Sequence, residues 1–177
     1  MSLLLTAPER LCIMLKDCDD AVIAAYHLHQ DDIDYVERPC FLVTSGEATY
    51  EQAPESASEQ VAVTETYTID YIGEPFKGTE QDYADFHELE ARRIAYNAIV
   101  YLLKHPNLQF SNVRHLEETD LPPLDGVFWA RPESRSVITL MQRAGREEAF
   151  WGFTISYSMR SMVTANEDEY MFSAYEA

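Results

Sequence analysis

Between Trp151 and Arg160 the chain alternates with a period of two, and this stretch limits the fold more than any other. Trp151, Phe153, Ile155, Tyr157 and Met159 fall on one parity, and Gly152, Thr154, Ser156, Ser158 and Arg160 on the other. Successive side chains of a strand point to opposite faces, so one face is a wall of large apolar groups and the other is small and hydroxylated. Val61–Tyr71 repeats the pattern, with Val61, Val63, Tyr67, Ile69 and Tyr71 set against Ala62, Thr64, Thr66, Thr68 and Asp70. Two one-sided strands need a cover, and the segment between them has the length for a covering helix.

Thr6-Ala-Pro-Glu9 has capping-box spacing with a proline in the first turn, which predicts a helix from about Ala7 to Tyr26. Its apolar face would carry Leu11, Leu15, Cys18 and Val22. Pro39–Thr44 reads as a short strand opened by a proline. Gly46–Gln60 is acidic and without a period, and is expected to be a long loop joining that strand to Val61–Tyr71 in a hairpin.

A helix is expected from Thr79 to Pro106, where Lys104 and His105 suit the negative end of its dipole. Tyr83, Phe86, Leu89, Tyr96, Val100 and Leu103 are its predicted buried face, with the half from Ile94 to Leu103 buried almost all round. Val113–Leu116 is a possible short strand, and Ser136–Met141 a further strand forming a hairpin with Trp151–Arg160. The expected architecture is α+β, a mostly antiparallel twisted sheet of about four to five strands covered by two helices. Residues 1–162 would form one domain with a long loop at 46–60, followed by an acidic, aromatic tail over 163–177.

At 177 residues and 46% hydrophobic content the chain can build a substantial core. Its charge is unusual: 31 acidic against 13 basic residues, a net −18. Too few cations are present to replace the counterions of a nucleic-acid backbone, so tight nucleic-acid binding is not expected. The apolar run Leu3–Leu5 is too short for a secretory signal, and no stretch nears the ~20 apolar residues of a membrane span. Cys12, Cys18 and Cys40 lack a C-x-x-C pair and fit reduced thiols, so a chain made in a cytoplasm is expected.

His27 and His29 beside Asp31, Asp32 and Asp34 have metal-ligand chemistry, but the spacing is common by chance and no metal is expected there. G-x-S-x-G, H-E-x-x-H, P-loop and G-x-G-x-x-G motifs are absent, and six glycines leave little for phosphate-cradling loops. No enzyme, cofactor or catalytic residue is therefore expected. Arg92, Arg93, Arg131, Arg135, Arg143 and Arg146 stand in a negative field, either paired locally or forming a basic patch for an acidic patch on the next copy.

The order of elements resembles that of the tail terminator (tail completion) proteins of long-tailed bacteriophages. Arg38-Pro-Cys-Phe-Leu-Val43, Thr66-Tyr-Thr-Ile-Asp-Tyr71 and Phe150-Trp-Gly-Phe-Thr-Ile155, with the helix between them, carry the resemblance over most of residues 6–160. The stretch Leu116–Pro132 and the tail after Arg160 lie outside the pattern. The resemblance implies a structural virion protein, a homo-oligomer expected to be a hexameric ring at the head-proximal end of the tail tube. Such a ring stops tube growth, contacts the tail tube protein and the head–tail connector, and lets DNA pass without tight binding. Expected partner contacts are Glu47, Tyr50, Glu51, Glu55 and Glu59 in the acidic segment and Tyr170, Phe172 and Tyr175 in the tail. The alternative is a monomeric acidic inhibitor or DNA mimic that presents carboxylates to a basic protein.

Overall fold

The computed structural model describes residues 6–27, 36–52, 60–77, 81–109, 124, 126–142 and 147–164. Helix α1 (Ala7–Asp17) opens with Thr6, whose backbone N–H (2.7 Å) and hydroxyl (2.8 Å) both donate to the Glu9 carboxylate. It stops nine residues earlier than the sequence pattern suggests. The Asp19 carboxylate accepts from the Ala21 N–H at 2.9 Å, a local bond that competes with helical hydrogen bonding. Aspartates also sit badly at the negative end of a helix dipole. After a turn, the chain forms strand β1 (Ala24–His27), which lies parallel to β2 (Cys40–Gln52).

β2 pairs antiparallel with β3 (Gln60–Ile72), and β3 with the 17-residue β7 (Glu148–Thr164). β7 is the central strand. β4 (Phe76–Lys77), β5 (Val127–Arg135) and β6 (Thr139–Gln142) all pair with it. Ala149 is bonded to Phe76 and also to Gln142, so β4 lies on one edge of β7 and β6 on the other. Ile72 and Thr139 both pair with Gly152, which puts β3 on the β4 edge.

The sheet therefore has seven strands and is mixed, larger than the four to five antiparallel strands expected. The α+β class and the two helices stand as anticipated. The missed strands have physical reasons. β1 read as helix because its residues continue an apolar face. β5 carries Pro132 and three charged residues, which hide a strand pattern. The expected strand Ser136–Met141 begins only at Thr139, and Val113–Leu116 lies outside the described residues.

The parity of β7 is as its sequence indicates. Phe153, Ile155, Tyr157 and Met159 are buried beneath the helices with Tyr67, Ile69 and Tyr71 of β3 and Phe41 and Val43 of β2. Tyr71 stacks on Phe153 with ring centroids 4.9 Å apart, and Phe41 meets both rings at an angle. Trp151 is half-buried, and its indole N–H donates to the Ala84 carbonyl at 2.9 Å, fastening α2 (Gln81–Lys104) to the sheet. The opposite sheet face has its own small cluster of Ala24, Cys40, Leu42, Ile72 and Phe150.

Helix α2 presents the sheet with Ala91, Ile94, Ala95, Ala98 and Leu102, not the predicted row of larger residues. Small side chains let the helix axis approach the sheet closely, and the large ones turn outward. Phe86, Leu89, Tyr96 and Leu103 are exposed, Val100 is half-buried, and the side chain of Tyr83 lies outside the described residues.

Candidate assembly surface

Three features of the described surface could engage a partner. The first is the β2–β3 arm. Each strand has thirteen residues, and eleven pairs join them on either side of a bulge between Ser45 and Ala48. Gly46 lies in that bulge, where a Cβ would stand 2.6 Å from the Thr66 hydroxyl oxygen, so a larger residue would displace the Thr66 side chain. Thr66 Oγ1 donates to the Glu47 carbonyl at 3.1 Å and holds the bulge. Beyond it, residues 45–51 are exposed on both faces.

Of the expected partner contacts, Glu47, Tyr50 and Glu51 lie on this paired strand rather than in a loop, because β2 runs on to Gln52 and β3 starts at Gln60. A strand polar on both faces has no alternation to betray it; backbone pairing with β3 holds it. Tyr50, opposite Val63, is 71% exposed. Glu51 accepts from Arg160 Nη2 at 3.0 Å, and Arg160 Nη1 reaches the Thr64 hydroxyl, so the arm is braced to β7. Glu55, Glu59, Tyr170, Phe172 and Tyr175 lie outside the described residues.

The second feature is the outer face of α2, and the third is the β5–β6 edge. Ten large apolar side chains are exposed among the described residues, and eight of them fall on these two surfaces. Phe86, Leu89, Tyr96 and Leu103 lie on the helix; Phe128, Val137, Leu140 and Met141 lie along the edge. Sequence reasoning missed both. The spacing of the α2 residues marks them as a row, but periodicity alone cannot say which of two apolar faces meets the sheet.

The scarce cations are engaged locally. Arg92 bonds Glu88 at 2.7 Å one turn back, and Arg131 bonds Glu133 at 3.1 Å while its guanidinium sits 4.5 Å from the centre of the Trp129 ring. Arg135 donates to the Ser136 carbonyl, and Arg143 and Arg146 lie outside the described residues. Arg93 makes two bonds to Asp19, at 3.0 and 3.1 Å, and Asn97 donates a third at 2.8 Å. Burial pushes the Asp19 carboxyl up, but the bonds from Arg93, Ala21 and Asn97 outweigh it and hold the group below its ordinary value. With Cys18, Asp20 and Ala21 these residues line a shallow, open depression whose polar groups already bond one another.

Chemically reactive groups are few here. Burial pushes the thiols of Cys12, Cys18 and Cys40 up to about 12, so all three are protonated and unreactive at neutral pH. His27 ends β1 with Nε2 3.3 Å from the Ser45 hydroxyl; His29, Asp31, Asp32 and Asp34 lie outside the described residues. Among the described residues, Glu74, His87 and Glu90 bring one ligand atom each within 4.8 Å of one another, a set able to accept a divalent cation. His87 is also packed against Phe76, ring on ring at 5.4 Å, which gives it a core role without any metal. No helix of the described chain is long and apolar enough to cross a membrane.

Comparison with protein-family models finds no match, and no curated protein is similar in sequence.

Proposed function

We propose that this chain is a structural subunit of a phage particle, a tail terminator that forms a ring at the head-proximal end of the tail tube. The β2–β3 arm is the observation that carries this reading. Among the described residues its outer half presents an unpaired β2 edge and exposed side chains, Tyr50 among them, while β3 behind it stays paired with β7. A subunit that must touch a tube below and a connector above needs such a surface. The resemblance in element order and the net charge of −18 support the same function, because DNA must slide past the ring without being held. The ring ends tube growth and joins tail to head by contact alone, with no bond made or broken.

The test is the native mass together with the location of the protein. A particle of six 20.3 kDa subunits, found at the head–tail joint of purified virions, is the expected result. A strict monomer absent from virions would replace this reading with that of an acidic inhibitor.

A further inference from the structure

We propose that Glu74, His87 and Glu90 form a binding site for one divalent transition-metal ion, zinc by its donor set, that ties α2 to the chain between β3 and β4. One ligand atom from each of the three lies within 4.8 Å of the other two. Glu74 follows β3, and His87 and Glu90 stand three residues apart on one side of α2. The site belongs to a single subunit and does not depend on the ring.

His87 points to a ligand independently of that clustering. Its side chain is 10% exposed, and Nδ1 is fully buried without a hydrogen-bond partner among the described residues. Buried polar atoms are nearly always paired, so this nitrogen calls for a partner that the polypeptide does not supply. Stacking on Phe76 and a T-shaped contact with Phe86, each at 5.4 Å, explain how the ring is oriented but not the nitrogen on its edge. Nδ1 stands 4.0 Å from Glu90 Oε1, beyond hydrogen-bond reach. The Glu90 side chain is itself only 15% exposed, and Arg93, one turn on, gives its bonds to Asp19 instead. With the ring proton on Nε2, a lone pair of the imidazole and a largely buried carboxylate face the same gap.

A cation bonded at ~2.0–2.1 Å to each of two atoms holds them roughly 3.3–3.4 Å apart in a tetrahedral shell. Closing 4.0 Å to that separation needs one small rotation of the Glu90 side chain. Glu74 has more freedom, since its side chain is exposed, but its backbone is pinned. The Gly73 N–H donates to the Trp151 carbonyl at 2.9 Å and Phe76 pairs with Ala149, so fixed points stand on both sides of Glu74. Trp151 also holds the facing helix, through its indole bond to the Ala84 carbonyl. One residue of β7 thus positions both halves of the site before any ion arrives.

The donor set selects the metal. Zinc takes one imidazole nitrogen and two carboxylates readily, and three protein ligands leave the fourth tetrahedral position to water. Calcium and magnesium prefer all-oxygen shells of about six or more ligands, so the histidine disfavours both. The net charge of −18 draws any divalent cation toward the chain, but a general attraction does not single out one imidazole. Bound there, the ion clamps α2 to the β3–β4 connection and reinforces the Trp151–Ala84 bond.

The experiment titrates zinc into the chelator-treated full chain by calorimetry, with excess magnesium present to occupy exposed carboxylates, and follows melting in parallel. The parent should take up about one zinc per chain and melt roughly 5–10 °C higher at a hundredfold excess over Kd. Glu74→Gln and Glu90→Gln should each weaken that binding by about tenfold or more. His87→Phe keeps an aromatic ring against Phe76, lacks the nitrogen and should abolish binding. Glu74 is exposed, so its variant should melt like the parent when no metal is added. His27→Gln/His29→Gln should bind zinc as the parent does. Uptake by the parent no greater or tighter than by His87→Phe would mean an adventitious ion only, and overturns the site. Binding that either glutamine variant leaves intact, or that vanishes when His27 and His29 are replaced, overturns it as well. Failure of the parent to take up zinc at all also overturns it and leaves His87 and Glu90 as an ion pair. None of these outcomes touches the ring, whose test is the native mass.

Discussion

Asp19 shows how much one carboxylate can organise. It stands where α1 gives way to β1, its side chain is 6% exposed, and it receives Arg93, Asn97 and the Ala21 N–H, so it ties that corner to the middle of α2. Asp19→Ala removes the acceptor and leaves part-buried donors without their partner, a loss of about 1–3 kcal/mol measured by denaturant unfolding at neutral pH. The pH dependence has a definite sign. Because the folded group titrates below the unfolded value of about 3.9, its stabilisation is fully present above that value. It is lost as pH falls through the folded one. The gap between parent and variant should therefore narrow below pH 4; a constant gap would mean that the ion pair contributes nothing. Tyr157 is the opposite case. Its ring is fully buried under the helices and its hydroxyl finds no hydrogen-bond partner in the protein. Burial accordingly raises the phenol well above its ordinary value. Tyr157→Phe removes an unpaired polar atom at little cost in shape and should leave stability equal or higher by about 1 kcal/mol. A clear drop in melting temperature would reveal a partner for that hydroxyl.

At the scale of elements, legibility followed how one-sided each segment is. β7 and the inner half of β3 were readable because one parity is apolar, and the Thr6–Glu9 cap announced α1. The outer half of β2 was not, since Ser45 to Glu51 are exposed on both faces and the Gly46 bulge breaks the period. The helical spacing of α2 is plain in its sequence but its buried side is not, because Ala91, Ala95 and Ala98 form a quieter face than the aromatics and leucines opposite them. The candidate surface was partly legible: Glu47, Tyr50 and Glu51 belong to the arm, while the α2 stripe and the β5–β6 edge emerge only once the fold shows what is left uncovered. The arm gives a direct prediction. Replacing residues 53–60 by a two-residue Asn-Gly turn joins Gln52 to Val61, which already face one another, and removes no residue of the helix-covered core. Circular dichroism should be nearly unchanged, and a shorter hairpin closes at slightly lower entropic cost. In a phage complementation assay the variant should give overlong tails or tails that fail to join heads. Normal infectious particles would take the segment between the two strands out of the mechanism.

For the whole molecule, the dominant quantity is its charge. With 31 acidic and 13 basic residues, long-range repulsion faces any polyanion that approaches, and four of the described arginines that could counter it are committed. Arg93 is held by Asp19, Arg92 by Glu88, Arg131 by Glu133 and Arg160 by Glu51, so recruiting any of them to a phosphate would first break an internal pair. Binding to duplex DNA draws its affinity largely from counterions released as cations replace them, and the described residues offer few uncommitted cations against so many carboxylates. The expected outcome is no shift of duplex DNA in a gel at micromolar protein near physiological salt. The same should hold for the assembled ring, since assembly adds no cation and places six strongly negative subunits together. A complex that weakens steeply as salt is raised would mean that phosphate contacts exist after all. It would also count against a channel through which DNA must move freely, because a wall that binds phosphate would slow the passage the ring is proposed to permit.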